Sequence, residues 1–283
     1  MDLLKLKKDF DEKGYVIIKD FFEKEDLKRC EKSIAQLYAL QAYKIKPYRE
    51  KMEKHYSKYN TYEDICLIYN MMEEFDKEAL YQVHKMILEN YFIRKFVNNE
   101  KLIDIADVLI NVNKDVALIN GMGLFVNKPG SNRLLYKWHT AEHGYPKRMK
   151  CLSVWFPLYI PKNEQNGVMY VAEGSHKVKF PFVEYTGYSS KDKGKSNQLT
   201  QREIPDYLVE NYKKVPTLAK PGDVVLFHHS LVHTSSINQS KDISFAGVIK
   251  IWEVSKDFTL SGNIAATPYS GSDTGRAELI IEG

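Results

Sequence analysis

A chain of 283 residues with 43% hydrophobic content is long enough to bury a sizeable core, which excludes a disordered or fibrous protein. Its 41 basic residues are interspersed with 37 acidic ones, and the net charge of +4 describes an ordinary solvated surface with no call for a nucleic-acid partner. Cys30, Cys66 and Cys151 are widely spaced and form no CxxC pair, which argues against a disulfide framework and a thiolate zinc site. The opening MDLLKLKKDF carries charge throughout, and no apolar run reaches membrane-spanning length, so a cytoplasmic protein without a membrane partner is expected.

Residues 1–110 read as a mainly helical region packed on the remainder. DLLKLKKDFDEK, EDLKRCEKSIAQLYALQ and the stretch from Tyr62 to Phe96 place apolar residues at helical spacing, as with Leu27, Ile34, Leu37 and Leu40. One short strand, Tyr15–Ile18, interrupts them after Gly14. The aromatic stripe Tyr62, Tyr69, Phe75 and Tyr81 reads as core. From about Val116 short β-rich runs take over: VALINGMGLFVN, LLYKWHT, CLSVWFPLYI, GVMYVA, DVVLFHH and ISFAGVIKIW, punctuated by turn residues such as Asn166-Gly167 and Pro221-Gly222. Many short strands closing a double sheet predict a jelly-roll or cupin-like core over 111–255. Within it, the polar segment 180–220 reads as a lid-like insertion or a plain surface excursion. Residues 256–283 read as a loop-like tail.

Two segments carry the chemistry. One is Tyr136-Lys137-Trp138-His139-Thr140-Ala141-Glu142-His143; the other runs from Pro221 through His228, His229 and His233 to Ser235. Imidazole suits Fe(II), and an iron site with open positions needs histidines fixed on a rigid scaffold. His139 comes early in the β region and His233 late, so the fold can bring them together. His228 and His229 are better read as structural. His143 is either a substrate contact or a loop histidine, and Lys147 with Arg148 is either an anion-binding pair or solvated charge.

GYVIIKDFF, WH with the following VWFPL, NGVMYVAEGSHK and PGDVVLFHHSLVHTSSIN together resemble the phytanoyl-CoA dioxygenase-like branch of the Fe(II)/2-oxoglutarate oxygenases, in the right order and over most of the chain. The resemblance implies a double-stranded β-helix with helical amino-terminal decoration, iron held by His139 and His233, and a requirement for 2-oxoglutarate and O2. It places Trp155 and Ser235 in the cosubstrate pocket. It also implies an oxidoreductase that acts on an aliphatic C–H bond of a small polar metabolite, with no carrier-protein partner evident.

Two positions depart from the family pattern. Where the family carries a carboxylate two residues after the first histidine, this chain has Ala141. Strand alternation would aim Ala141 at the missing ligand's place and turn Thr140 and Glu142 away. Three readings stay open. In the first, chloride fills the vacant iron position, as in the Fe(II)/2-oxoglutarate halogenases that this His-Thr-Ala resembles; chloride and carboxylate each bring one negative charge, and a methyl group makes room. In the second, a bulge swings Glu142 onto the metal and a hydroxylase results. In the third, the chain is a non-catalytic binding protein of the same fold. The second departure is Ser244, which stands where the family has the arginine that grips the far carboxylate of 2-oxoglutarate. Alternation puts Ser244, Ala246, Val248 and Lys250 on one strand face, which makes Lys250 the candidate anchor; its plain alternative is a snorkelling surface lysine.

Overall fold

The computed structural model describes residues 2–75, 77–119, 122–131, 135–141, 150–181, 183–185 and 201–253. Helix α1 (Leu3–Lys13) starts at Asp2, whose carboxylate accepts from the N–H groups of Leu4 and Lys5. It stops at Gly14, which takes φ 85° and donates its N–H to Phe10 O at 2.7 Å. A side chain at Gly14 would run into His176 and Leu231, so glycine serves both the left-handed turn and the close approach. Strand β1 (Tyr15–Ile18) follows at once.

Helices α2 (Lys24–Lys44), α3 (Lys46–Lys51), α4 (Tyr62–Phe75), α5 (Lys77–Glu89), α6 (Tyr91–Val97) and α7 (Glu100–Ile110) complete the amino-terminal part. The strands that follow are β2 (Ala117–Ile119), β3 (Gly123–Asn127), β4 (Lys150–Leu158), β5 (Met169–Ala172), β6 (Val183–Tyr185), β7 (Gln201–Glu203), β8 (Lys214–Pro216), β9 (Val224–His228), β10 (His233–Ser235) and β11 (Ser244–Glu253). A six-stranded sheet runs β1-β9-β4-β11-β2, with β3 sharing the β11 edge beside β2. A three-stranded sheet, β10-β5-β8, faces it, and β6 pairs with β7. Every pairing between these strands is antiparallel. This is the jelly-roll core that the short β-rich runs predict, and the double-stranded β-helix that the family resemblance implies.

Strand alternation divides the large sheet into two chemically different faces. Leu152, Val154, Phe156, Leu158, Val224, Leu226, Phe245, Ile249 and Ile251 point outward and share one core with Ile34, Tyr38, Ile65, Met72, Val83 and Leu102 of the helices. Tyr69 belongs to that core and Tyr62 packs against it, each with its ring near Phe245. Tyr81 is half-buried, and the Phe75 side chain lies outside the described residues. On the other face Trp155, Val225, Phe227 and Ala246 meet Met169 and Val171 of the small sheet. That inner layer holds the site.

Three expectations change. LLYKWHT forms no strand: within the described part, only His139 pairs, in an isolated bridge to His233. The 180–220 insertion ends early, because Lys214–Pro216 pairs with β5 and Thr217 is fully buried, donating its hydroxyl to Met169 O. And β1 is not outside decoration, since Tyr15–Ile18 pairs along Val224–Phe227 and forms the edge of the large sheet. The tail from residue 254 lies outside the described residues.

Candidate metal and cosubstrate site

His139 and His233 bridge each other through both backbone hydrogen bonds, 3.0 and 2.9 Å, and their ring centroids are 4.2 Å apart. Beyond this bridge the register slips. A regular antiparallel ladder would next pair Ser235 N–H with Lys137 O, yet it donates to Tyr136 O at 2.9 Å. One extra residue is thus accommodated on the His139 side, as in a β-bulge. The Lys137 carbonyl accepts instead from His139 Nδ1 at 2.7 Å. His233 Nδ1 is matched to Leu231 O at 2.9 Å, again two residues back. A carbonyl partner requires the proton on Nδ1, so each ring keeps its lone pair on Nε2, the tautomer a metal needs. Burial, then the neighbouring His139 and Lys250, hold the His233 pKa well below its ordinary value, so its imidazole is neutral. Two imidazoles that each turn Nδ1 to a backbone carbonyl suit a divalent metal such as Fe(II) at Nε2. Among the described residues no group of three His, Cys, Asp or Glu side chains gathers there.

Ala141 does not continue a strand; its backbone is in a 3-10 turn. The alternation that aimed Ala141 inward and Glu142 outward therefore ends before either residue. Glu142, His143, Lys147 and Arg148 lie outside the described residues. Thr140 is buried, and its hydroxyl has no partner among the described residues.

The inner face of the large sheet is built in tiers. Lys250 lies opposite Ser153, which lies opposite Phe227, and the Phe227 ring is 5.0 Å from His233. Lys250 is thus level with the histidine pair; it is 6% exposed, and burial lowers its pKa. It is no snorkelling surface lysine. Ser153 is fully buried, with a hydroxyl unpartnered among the described residues. The next tier sets Val248 against Trp155 and Val225. Ser235 stands on the small sheet beside Met169, half-buried on the same side as His233. At the far end of β11, fully buried Ser244 donates its hydroxyl to Asn166 O at 2.7 Å and accepts from Lys162 Nζ. The structure thus unites His139, His233, Lys250, Trp155 and Ser235 around one interior and puts Ser244 at its deep end.

Sequence reasoning missed Lys162 and Ser153. Lys162 sits in the turn after β4, where nothing in PLYIPKNEQ marks it for burial. His228 and His229 have structural partners: His228 Nδ1 accepts from Ser230 N–H at 3.1 Å, and His229 Nδ1 donates to Cys151 O at 3.2 Å.

A family model for phytanoyl-CoA dioxygenase matches residues 10–245. The chain belongs to the phytanoyl-CoA dioxygenase family. It is therefore an enzyme of the non-haem Fe(II)/2-oxoglutarate oxygenase class. Among curated proteins it is similar to an ectoine dioxygenase of Sphingopyxis alaskensis, 24% identical over 238 residues that cover 81% of this chain and 69% of the relative. Among solved structures it resembles EvdMO1, at 16% identity and a TM-score of 0.57, covering 89% of this chain and half of that one. It also resembles EctD from S. alaskensis with 2-oxoglutarate and 5-hydroxyectoine, at 18% identity and a TM-score of 0.51, covering 90% of this chain and 77% of that one. At such identities the structural likeness speaks for the shared fold.

Proposed function

We propose that this phytanoyl-CoA dioxygenase family member holds Fe(II) on His139 and His233, binds 2-oxoglutarate between its two sheets, and functionalises an aliphatic C–H bond of a small polar metabolite, with chloride at the iron position that Ala141 leaves open. The observation that carries the metal assignment is the bridged histidine pair, with both Nδ1 protons committed to backbone carbonyls. The bound metal, with 2-oxoglutarate and O2, supplies the oxidising power for breaking the C–H bond. The protein supplies position and surroundings. Trp155 and Phe227 keep water from the interior, while the Ser153 hydroxyl, in one tier with Lys250 and Phe227, offers a hydrogen bond to a polar ligand. Lys250, level with the histidines, supplies a positive charge that offsets a halide.

The turn at Ala141 favours a second reading as well. With strand alternation broken there, nothing directs Glu142 away from the metal, and Glu142 as third ligand makes a hydroxylase. Crystals soaked in bromide decide between the two. Anomalous scattering at the metal, lost in Ala141→Asp, supports the halide. Glu142 on the metal, no halide, and an inactive Glu142→Ala variant would establish the hydroxylase.

A further inference from the structure

Ser153 lies mid-strand in β4, fully buried, with a hydroxyl that meets no partner among the described residues. There β4 is paired on both edges, to β11 and to β9, so the backbone groups beside Ser153 are already engaged. A buried hydroxyl without a partner is costly, and a native fold keeps one where a ligand or a water completes it. Its cross-strand neighbour on the inner face is Lys250, and such pairs hold their Cβ atoms about 5 Å apart. Hydroxyl and ammonium therefore open on one patch of the interior, with the Phe227 ring closing the row beside His233.

Two donors side by side, one of them charged, complement a carboxylate, which accepts a hydrogen bond on each oxygen. Among the described residues, this row and the tiers flanking it, Val248 with Trp155 and Trp252 with Cys151, carry no acidic side chain. One positive charge matches a carboxylate, whereas a phosphate dianion would call for a second. The charge of Lys250 reaches to both sides. Burial pushes the Cys151 thiol up to about 11 against the pull of Lys250, and burial, His139 and Lys250 together hold His233 down. The cosubstrate is expected elsewhere: the family resemblance lines its pocket with Trp155 and Ser235, and Trp155 is one tier nearer the start of β11. In the opposite direction the inner face continues with buried Trp252 and Cys151, apolar surfaces suited to an aliphatic chain. Resting on the proposed metal at His139 and His233, we propose that Ser153 and Lys250 bind the carboxylate of the primary substrate. That substrate is then a small aliphatic carboxylic acid, presenting a carbon a few bonds from its carboxylate to the metal.

The test is anaerobic calorimetry on the Mn(II)- and 2-oxoglutarate-loaded protein with a set of short straight and branched aliphatic carboxylates, each beside its own amide. Wild type should bind carboxylates of this set in preference to the matching amides. Lys250→Met should remove that preference, with about a tenfold to hundredfold loss for the carboxylate and none for the amide. Ser153→Ala should weaken the carboxylate about two- to tenfold. Ligand-free Ser153→Ala should melt at or above the wild-type temperature; a lowered one would show that the hydroxyl is tied into the fold and overturn its role. Both variants should keep wild-type affinity for Mn(II) and 2-oxoglutarate. A preference that survives in Lys250→Met, or a wild type that treats acids and amides alike, overturns the proposal. So does a Lys250→Met protein that loses 2-oxoglutarate instead, which would give Lys250 to the cosubstrate. A wild type that binds no Mn(II) is a different failure, that of the metal site itself.

Discussion

At the scale of the residue, two histidines with carbonyl-fixed tautomers carry the metal assignment. His139→Ala and His233→Ala should each lower Mn(II) or Fe(II) affinity by on the order of a hundredfold or more, since losing even an outer-shell partner costs about ten- to a hundredfold. Circular dichroism should show the fold retained, and unchanged metal affinity in both variants would end the assignment. His228 makes a separate statement about pH. Its burial, then His229 and His176, bring its pKa down to about 3. An unfolded histidine takes up its proton near pH 6.5, so between about pH 6.5 and 3 the unfolded chain binds the extra proton. Stability from this group is therefore complete above that window and declines as pH falls through it. His228→Asn retains an acceptor for Ser230 N–H but cannot titrate. Its melting temperature should fall less than wild type's between pH 6.5 and 4; parallel curves would refute the linkage.

At the scale of the element, β11 joins the site to the helical layer, since its two faces serve different cores. Gly247 shows how tightly the outer face is packed: a methyl group there would enter the Phe156 ring and press on Met122 Sδ. Gly247→Ala should cost about 1–3 kcal/mol through overpacking, read as a lowered denaturation midpoint, whereas a neutral result would show that Phe156 can move aside. Alternation in ISFAGVIKIW correctly placed Lys250 and Val248 on one inner face, because the strand is long and regular. The same rule failed at Trp138-His139-Thr140-Ala141, where a register slip and a 3-10 turn depend on hydrogen bonds from β10, a segment about a hundred residues away. Lys162 was illegible for a related reason. A lysine in a polar turn reads as solvated, and only the closing of the two sheets buries it.

At the scale of the whole molecule, the helical and β-rich parts apparent in the sequence are not separable units. The large sheet takes its edge strand from Tyr15–Ile18, and the helices bury its outer face. Tyr62 in α4 donates its hydroxyl to Ile243 O at 2.8 Å, just before β11 begins. Residues 111–253 expressed alone should therefore show no cooperative thermal transition, while the full chain melts in one step by calorimetry and circular dichroism alike. A folded 111–253 fragment would mean that the helices are dispensable cover.

The backbone carbonyls of Lys137 and Leu231 have a consequence for how relatives of this enzyme diverge. Every residue type carries a carbonyl, so the identity of the side chains at 137 and 231 has no bearing on which imidazole nitrogen faces the metal. Mutation can drift through both positions without selection acting on the outer sphere, provided the chain keeps its path. What inheritance must preserve is the extra residue between Tyr136 and His139, a matter of length and not of lettering. A deletion or insertion there should be rarer among active relatives than any substitution.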